Sequence, residues 1–313
     1  MLAALALLFL SSAAAAAAPR DETCFARALS ADIRAFRLDD AKLLLGWVFD
    51  AAAANRMPAP GAVIDRYSSL DQVPGFAPPT DLGGVAGRYR LMRAPFDAGR
   101  GYYGVELGAL DEGDHVTSLF LVNRLFRLPI VTEAPLGVLT DISTNGAMFG
   151  GWKTEAIADI EAAAATALAD AEPLGVPLLT LGQSQAGGEA QLQAAYLAAE
   201  FPHRRIATGF VSFNAAPVDA SVRRLGVAPD AVPGINFVKD LDPSFGPHGL
   251  LPNDLGLQVY IHRDGTGGGR PSKESALAAF AHPGQHLLAE FETVSLAKAL
   301  AATLDAGPDR CGI

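Results

Sequence analysis

The sequence predicts an α/β domain: a mostly parallel central sheet with flanking helices and an N-terminal helical and loop region. Three observations carry this. From about residue 150 to residue 238, helical stretches alternate with short runs rich in β-branched and aromatic residues, the pattern of a parallel sheet covered by helices. Residues 176–192, VPLLTLGQSQAGGEAQL, pass from an apolar strand through a tight glycine-bearing turn directly into a helix. The chain of 313 residues is 50% hydrophobic and 19% charged, enough apolar mass for one large core.

Met1–Ala18, MLAALALLFLSSAAAAAA, is an apolar run followed by small residues. That is the pattern of a secretory signal peptide with its cleavage region near Ala15–Ala18, although no Lys or Arg precedes the run. The Leu-rich part is shorter than the roughly 20 residues a membrane span needs, so removal is preferred over a retained anchor. No other spanning segment follows. The expectation is a secreted or periplasmic protein in which residues 19–313 form one domain. In an oxidising compartment, Cys24 and Cys311 are expected to pair and tie the two ends together, worth about 2–4 kcal/mol; two unpaired thiols are the alternative. Neither cysteine has a histidine neighbour of the kind that metal or catalytic chemistry would need.

Residues 21–54 carry helix-like apolar spacing at Ile33, Phe36, Leu43, Leu44, Leu45 and Val48, and the Pro- and Gly-rich stretch 57–87 then breaks regular structure. Strands are expected around 88–92, 104–107 and 115–126, ending near 128–132. An alanine-rich helix over 149–169 follows, then turn residues Pro173 and Gly175. The strand that enters the serine turn precedes a helix over about 187–200, and further strands are expected at 207–213 and 234–238. A glycine-rich loop at 262–272 and an amphipathic helix at about 290–304 complete the chain. The net charge of −10 and pI near 5.0, without a Lys/Arg stripe, argue against a nucleic-acid partner.

The turn at Ser184 has the form of a nucleophile elbow, GxSxG with Ala186 in the last glycine position. The corner forces its central residue into a strained conformation, and the helix that follows points amide groups and a positive dipole end at the place where an oxyanion would form. A phosphate cradle would require GxxxxGK[ST], and no lysine lies nearby. A serine needs a histidine base held by a carboxylate. His286 is preferred for the base, with His282 as alternate; His115 and His203 read as surface or packing residues, and His248 and His262 as weaker choices in loops. For the acid, Asp242 is preferred and Asp240 is the alternate: only one of the pair is expected to face the histidine, and Asp242 is followed by Pro243, which stops the strand and directs the loop.

Four segments together resemble the class 3 (fungal-type) lipase family of α/β hydrolases, over roughly residues 132–291. LTLGQSQAGGEAQLQAAYLA is similar to the family elbow and its helix. FVSFNAAPVDA resembles the family's TFGxPRVG, with Asn214 departing from glycine; NFVKDLDPSF resembles VNxxDPVP; GQHLLAEF resembles HxxYF. The resemblance implies an α/β-hydrolase fold, the acid at Asp242 and the base at His286. Departures are Gln183 where the family usually has histidine, Ala186 for glycine, and no visible RGT-like oxyanion run, for which Thr132 is the nearest candidate beside the Gln185 amide. It implies hydrolysis of ester or lipid substrates with no metal or organic cofactor. A hydrolase shell that has become a binding or scaffolding protein, and an acyltransferase, are the competing classes. Residues 146–152, with Met148 and Phe149, read either as a lid or as core.

Overall fold

The computed structural model describes residues 41, 44–45, 47–48, 57–64, 88–93, 104–123, 144, 146–228, 232–239, 255–261, 267–268 and 296–305. Among these, nine strands form one sheet whose spatial order is the order of the chain: β1 (Val63–Ile64), β2 (Arg88–Arg93), β3 (Gly104–Leu110), β4 (Val116–Asn123), β5 (Leu178–Gln183), β6 (Thr208–Phe213), β7 (Gly234–Lys239), β8 (Leu257–Ile261) and β9 (Gly267–Gly268). β1 to β4 pair antiparallel. β4 to β8 are parallel neighbours, and β9 returns antiparallel on β8. Helices α1 (Glu155–Leu174), α2 (Gln185–Glu200) and α3 (Asp219–Arg224) fall between successive parallel strands, and α4 (Leu296–Asp305) comes after the sheet. The α/β fold, a mostly parallel sheet with flanking helices, is that expected from the sequence.

Strand side chains alternate between faces, so each parallel strand feeds two cores. Leu119, Leu121, Leu178 and Phe210 pack with Ile157, Ile160 and Leu168 of α1, Leu192 and Leu197 of α2, and Val222 of α3. Their sequence neighbours Phe120, Val122, Leu179, Leu181, Val211 and Phe213 pack on the opposite face with Leu44, Leu45 and Val48 and with Leu296, Ala299 and Leu300 of α4. A chain that advances one strand at a time, with crossovers of a single hand, puts every crossover helix on the same face. The other face is then left to segments outside the crossovers, here the N-terminal helical residues and α4. Every residue of β5 and β6 is buried, so neither strand shows the apolar–polar alternation of a sheet with one wet face.

Some boundaries differ from the sequence reading, for local reasons. α1 begins at Glu155, not at 149: the Oγ1 of Thr154 accepts the Ile157 N–H (3.3 Å), an N-cap that starts the helix there. A separate helical turn covers 146–150 and ends at Gly151, where φ is 69°. α1 runs past Pro173 and stops at Gly175, whose left-handed backbone lets its N–H donate to Glu172 O (3.1 Å). In the last turn the proline removes only one backbone donor. His115 lies in the turn before β4, exposed and 3.3 Å from Asp111, rather than on a strand. β8 was not anticipated.

Two buried carboxyls give testable consequences for stability. Glu161 of α1 receives Arg224 Nη2 from α3 (2.8 Å) and Lys153 Nζ (3.2 Å). Glu161→Gln removes that clasp. Because both cations keep access to water, the expected loss is about 1–2 kcal/mol rather than the roughly 3–5 of a fully buried pair. It should appear as a lower urea midpoint at unchanged slope.

Glu106 of β3 is fully buried, and neither of its carboxylate oxygens has a hydrogen-bond partner among the described residues. Arg93 Nε stands 3.6 Å away, but its Nη2 is engaged by Asp170 of α1. Burial first, and then the Asp170 carboxylate, push the Glu106 carboxyl from 4.5 up to about 8, with Arg93 opposing. The native state thus holds a proton that the unfolded chain releases. The stability linked to this group is full below pH 4.5 and is lost as pH rises through about 8. Glu106→Gln is expected to be more stable than wild type at pH 8 by at least about 1 kcal/mol, with the gap closing at pH 5. Thermal unfolding of both proteins at the two pH values checks this.

Candidate active site

The parallel strands bring their carboxyl ends Asn123, Gln183, Phe213, Lys239 and Ile261 to one edge of the sheet. Ser184 stands on that edge, between β5 and α2, with φ 57° and ψ −125°. A non-glycine residue with this backbone is strained by about 1–3 kcal/mol and persists only where its surroundings fix it. Three hydrogen bonds do so. The Ser184 N–H donates to Phe213 O (3.0 Å), and the Ser184 carbonyl accepts from the N–H groups of Gly188 (3.1 Å) and Ala216 (2.8 Å). The elbow is therefore tied both to the helix it opens and to the loop leaving β6.

Space around the corner explains the small residues. A Cβ on Gly182 would lie 1.9 Å from Ala186 O, and one on Gly187 would lie 2.8 Å from Ala215 Cα. Both obstacles are on closely held chain segments, so strand, turn and helix can approach this closely only without those side chains. Ala186 is fully buried, so the methyl that departs from the GxSxG pattern is accommodated inside the corner.

The ladder of α2 starts with the Gly188 N–H on Ser184 O. The amide of Gln185, at the first position of the helix, therefore precedes that ladder and lies where the positive end of the helix dipole acts. The Gln185 side chain is buried, and its Nε2 donates to Glu189 Oε1 (3.1 Å). Further along α2, Gln191 Nε2 donates to Ser212 Oγ (3.1 Å), Ser212 Oγ to Asn236 Oδ1 (3.0 Å), and Asn236 Nδ2 to Gln258 Oε1 (2.9 Å), a line of polar contacts crossing β6, β7 and β8. Gln193 and Asn123 exchange amide bonds (2.8 and 3.1 Å). These amides anchor α2 against the helix-facing side of the sheet by directional bonds, which specify its position more narrowly than apolar contact does.

Sequence reasoning missed this network. Its signal was present as Gln185, Glu189, Gln191 and Gln193, polar residues of an otherwise Ala- and Gly-rich helix. It also missed the side chain of Asn214, which is buried with φ 44° at the end of β6.

Of the residues expected to act with Ser184, Gln185 is brought to the elbow. Thr132, Asp240, Asp242, His282 and His286 lie outside the described residues, as do His248, His262, Cys24, Cys311 and Met1–Ala18. Asp240 and Asp242 follow β7, whose last residue, Lys239, ends at the same edge as Ser184. His203 lies exposed in the turn after α2, away from this edge. In the 146–152 segment, Met148 is buried and its carbonyl accepts from Ser221 Oγ (2.9 Å), whereas Phe149 and Trp152 are exposed. Among the described residues there is no group of His, Cys, Asp or Glu that could hold a metal ion, and no helix long and apolar enough to cross a membrane.

No protein-family model matches the chain, and no curated protein matches it in sequence. Solved structures do show similarity. Lipase II from Rhizopus niveus is similar at 15% identity and a TM-score of 0.44 over 82% of this chain and 94% of that one. The extracellular lipase LipA from Serratia marcescens is similar at 15% identity and a TM-score of 0.42, over 65% of this chain. The chain spans 38% of that lipase. The Rhizomucor miehei lipase in its propeptide complex is similar at 14% identity and a TM-score of 0.33 over 59% of this chain and 63% of that one. These likenesses are loose, and the fold assignment rests on the sheet order and the strand–turn–helix corner themselves.

Proposed function

We propose that the chain is an exported serine hydrolase of carboxylic esters, similar to the class 3 (fungal-type) lipases, acting through an acyl-enzyme intermediate. One observation carries the reading: Ser184 is held at φ 57° on a strand-to-helix corner at the carboxyl edge of a parallel sheet. A strained serine at the N-terminus of a helix is what an activated hydroxyl with a ready oxyanion donor requires.

In this mechanism His286, or His282 in its place, takes the Ser184 hydroxyl proton as Oγ attacks the ester carbonyl carbon. Asp242, with Asp240 as alternate, stabilises the imidazolium that results. The carbonyl oxygen becomes an oxyanion that accepts from the Gln185 amide; a second donor near Thr132 would contribute about 3–4 kcal/mol. Collapse breaks the bond to the leaving alcohol, which takes the proton from the imidazolium. Water, deprotonated by the same histidine, then cleaves the acyl-enzyme and restores the serine. The chemistry uses side chains and backbone alone. Lipid or other ester substrates, a location outside the cytoplasm after removal of residues 1–18, and a bond between Cys24 and Cys311 belong to the same reading.

Hydrolysis of p-nitrophenyl esters across a series of acyl lengths tests it. The expected result is saturable turnover that falls away as pH drops through the titration of the histidine base. The absence of turnover at every chain length by folded protein would remove the proposal.

A further inference from the structure

The side chain of Asn214 takes a place in the sheet that backbone normally fills. β6 and β7 pair in parallel up to Phe213 opposite Phe237. One step further on, the Asn214 N–H donates to Phe237 O (2.8 Å), as a parallel ladder dictates. The next bond of that ladder would run from the Lys239 N–H to the main-chain carbonyl of residue 214. It runs instead to Asn214 Oδ1 (3.0 Å). Asn214 has φ 44°, a left-handed backbone that turns the chain out of the strand, and asparagine is one of the few residues that adopt it readily. The side-chain carbonyl thus extends the pairing by one bond after the backbone has left the sheet.

That bond joins the two points that matter for the proposed reaction. Asn214 follows Phe213, whose carbonyl accepts the Ser184 N–H, and it precedes Ala216, whose N–H holds the Ser184 carbonyl. Lys239 is the last residue of β7 and is buried; the chain continues from it to Asp240 and Asp242. We infer that Asn214 is a positioning residue for the acid of the site: by accepting the Lys239 N–H it fixes the end of β7, from which the chain continues to Asp240 and Asp242. This rests on the ester-hydrolase reading above.

The test compares the full chain with Asn214→Gly and Asn214→Asp. Glycine keeps the positive φ and removes the acceptor, whereas aspartate keeps both the acceptor and a tolerance for that backbone. In Asn214→Gly, kcat for a p-nitrophenyl ester should fall about 10- to 100-fold with KM little changed, the scale of a small misplacement of a reacting group. The acidic limb of the kcat/KM profile should move to lower pH, because a histidine less supported by its carboxylate gives up its proton more easily. The Lys239 amide should lose protection from hydrogen exchange. Asn214→Asp should retain the Lys239 protection and most of the rate, with an acidic limb at or above that of wild type because an added carboxylate favours the protonated histidine. Wild-type kcat and an unmoved acidic limb in Asn214→Gly would overturn the inference, as would an Asn214→Asp variant as impaired as the glycine variant. A folded wild type without ester turnover would sink the hydrolase reading and this role with it, whereas an active wild type beside an unaffected Asn214→Gly would sink this role alone.

Discussion

Replacement of Ser184 by alanine is expected to lower kcat for ester hydrolysis by about five to six orders of magnitude, the scale seen when the nucleophile of a serine triad is removed. The fold should survive. The bonds that hold the elbow all involve the backbone of residue 184, namely its N–H on Phe213 O and its carbonyl under Gly188 and Ala216. An alanine at the same φ carries a Cβ just as serine does, so the backbone strain is unchanged. Parallel measurement of steady-state kinetics and thermal unfolding checks both halves. A variant that keeps more than about a hundredth of the wild-type rate would show that another group performs the attack, since binding and oxyanion contacts alone leave far less.

The second large effect is on folding. Gly182→Ala places a methyl carbon 1.9 Å from Ala186 O, where β5 and the first turn of α2 meet. Neither side can yield cheaply: Gly182 is locked into the sheet opposite Ser212, and Ala186 lies in a helix bonded back to Thr180 through Ala190 O (2.7 Å). The expected cost is more than about 3 kcal/mol, among the larger values for a single added methyl. Whatever folded protein remains should have lost esterase activity, because the corner must open to admit the group. Gly175→Ala is the control. That glycine, unlike Gly182, has a positive φ, 66°, and nothing lies within 4 Å of its Cβ position. Its substitution should cost only about 1 kcal/mol. Equal losses in denaturant unfolding for the two variants would show that the close approach of Ala186 O does not set the requirement for glycine at position 182.

The fold was legible where one physical cause dominated. β5 and β6 are buried on both faces, so they carry no charged residue and are dense in Leu, Val and Phe, which strand reasoning recognises. The elbow was legible because strain, close approach and a helix start must coincide within a few residues, and glycine, serine and alanine in that order satisfy all three. β8 was missed although LQVYI alternates buried and partly buried positions. It is short and enters beside glycine-rich chain, where turn chemistry outweighs the alternation. The start of α1 was placed too early because the helical turn at 146–150 and α1 share apolar spacing, while the break between them depends on the left-handed Gly151 and the Thr154 cap.

The site was legible in part. Ser184 and its helix follow from local sequence. The amides of α2 do not, because an amphipathic reading assigns glutamines to solvent, and only the close packing of α2 on the sheet and on α1 turns them inward. The role of Asn214 is likewise set by tertiary context: its partner Lys239 lies on the neighbouring strand, and no local pattern reveals that a side-chain oxygen takes over a backbone bond.

The most direct measurement on the central claim is covalent capture of the nucleophile. Wild-type protein treated with a fluorophosphonate should yield a single phosphonylated peptide, VPLLTLGQSQAGGEAQL or a fragment of it, modified at Ser184, and the adduct should be missing from Ser184→Ala. Folded protein that forms no adduct, or carries it on another residue, would contradict the account.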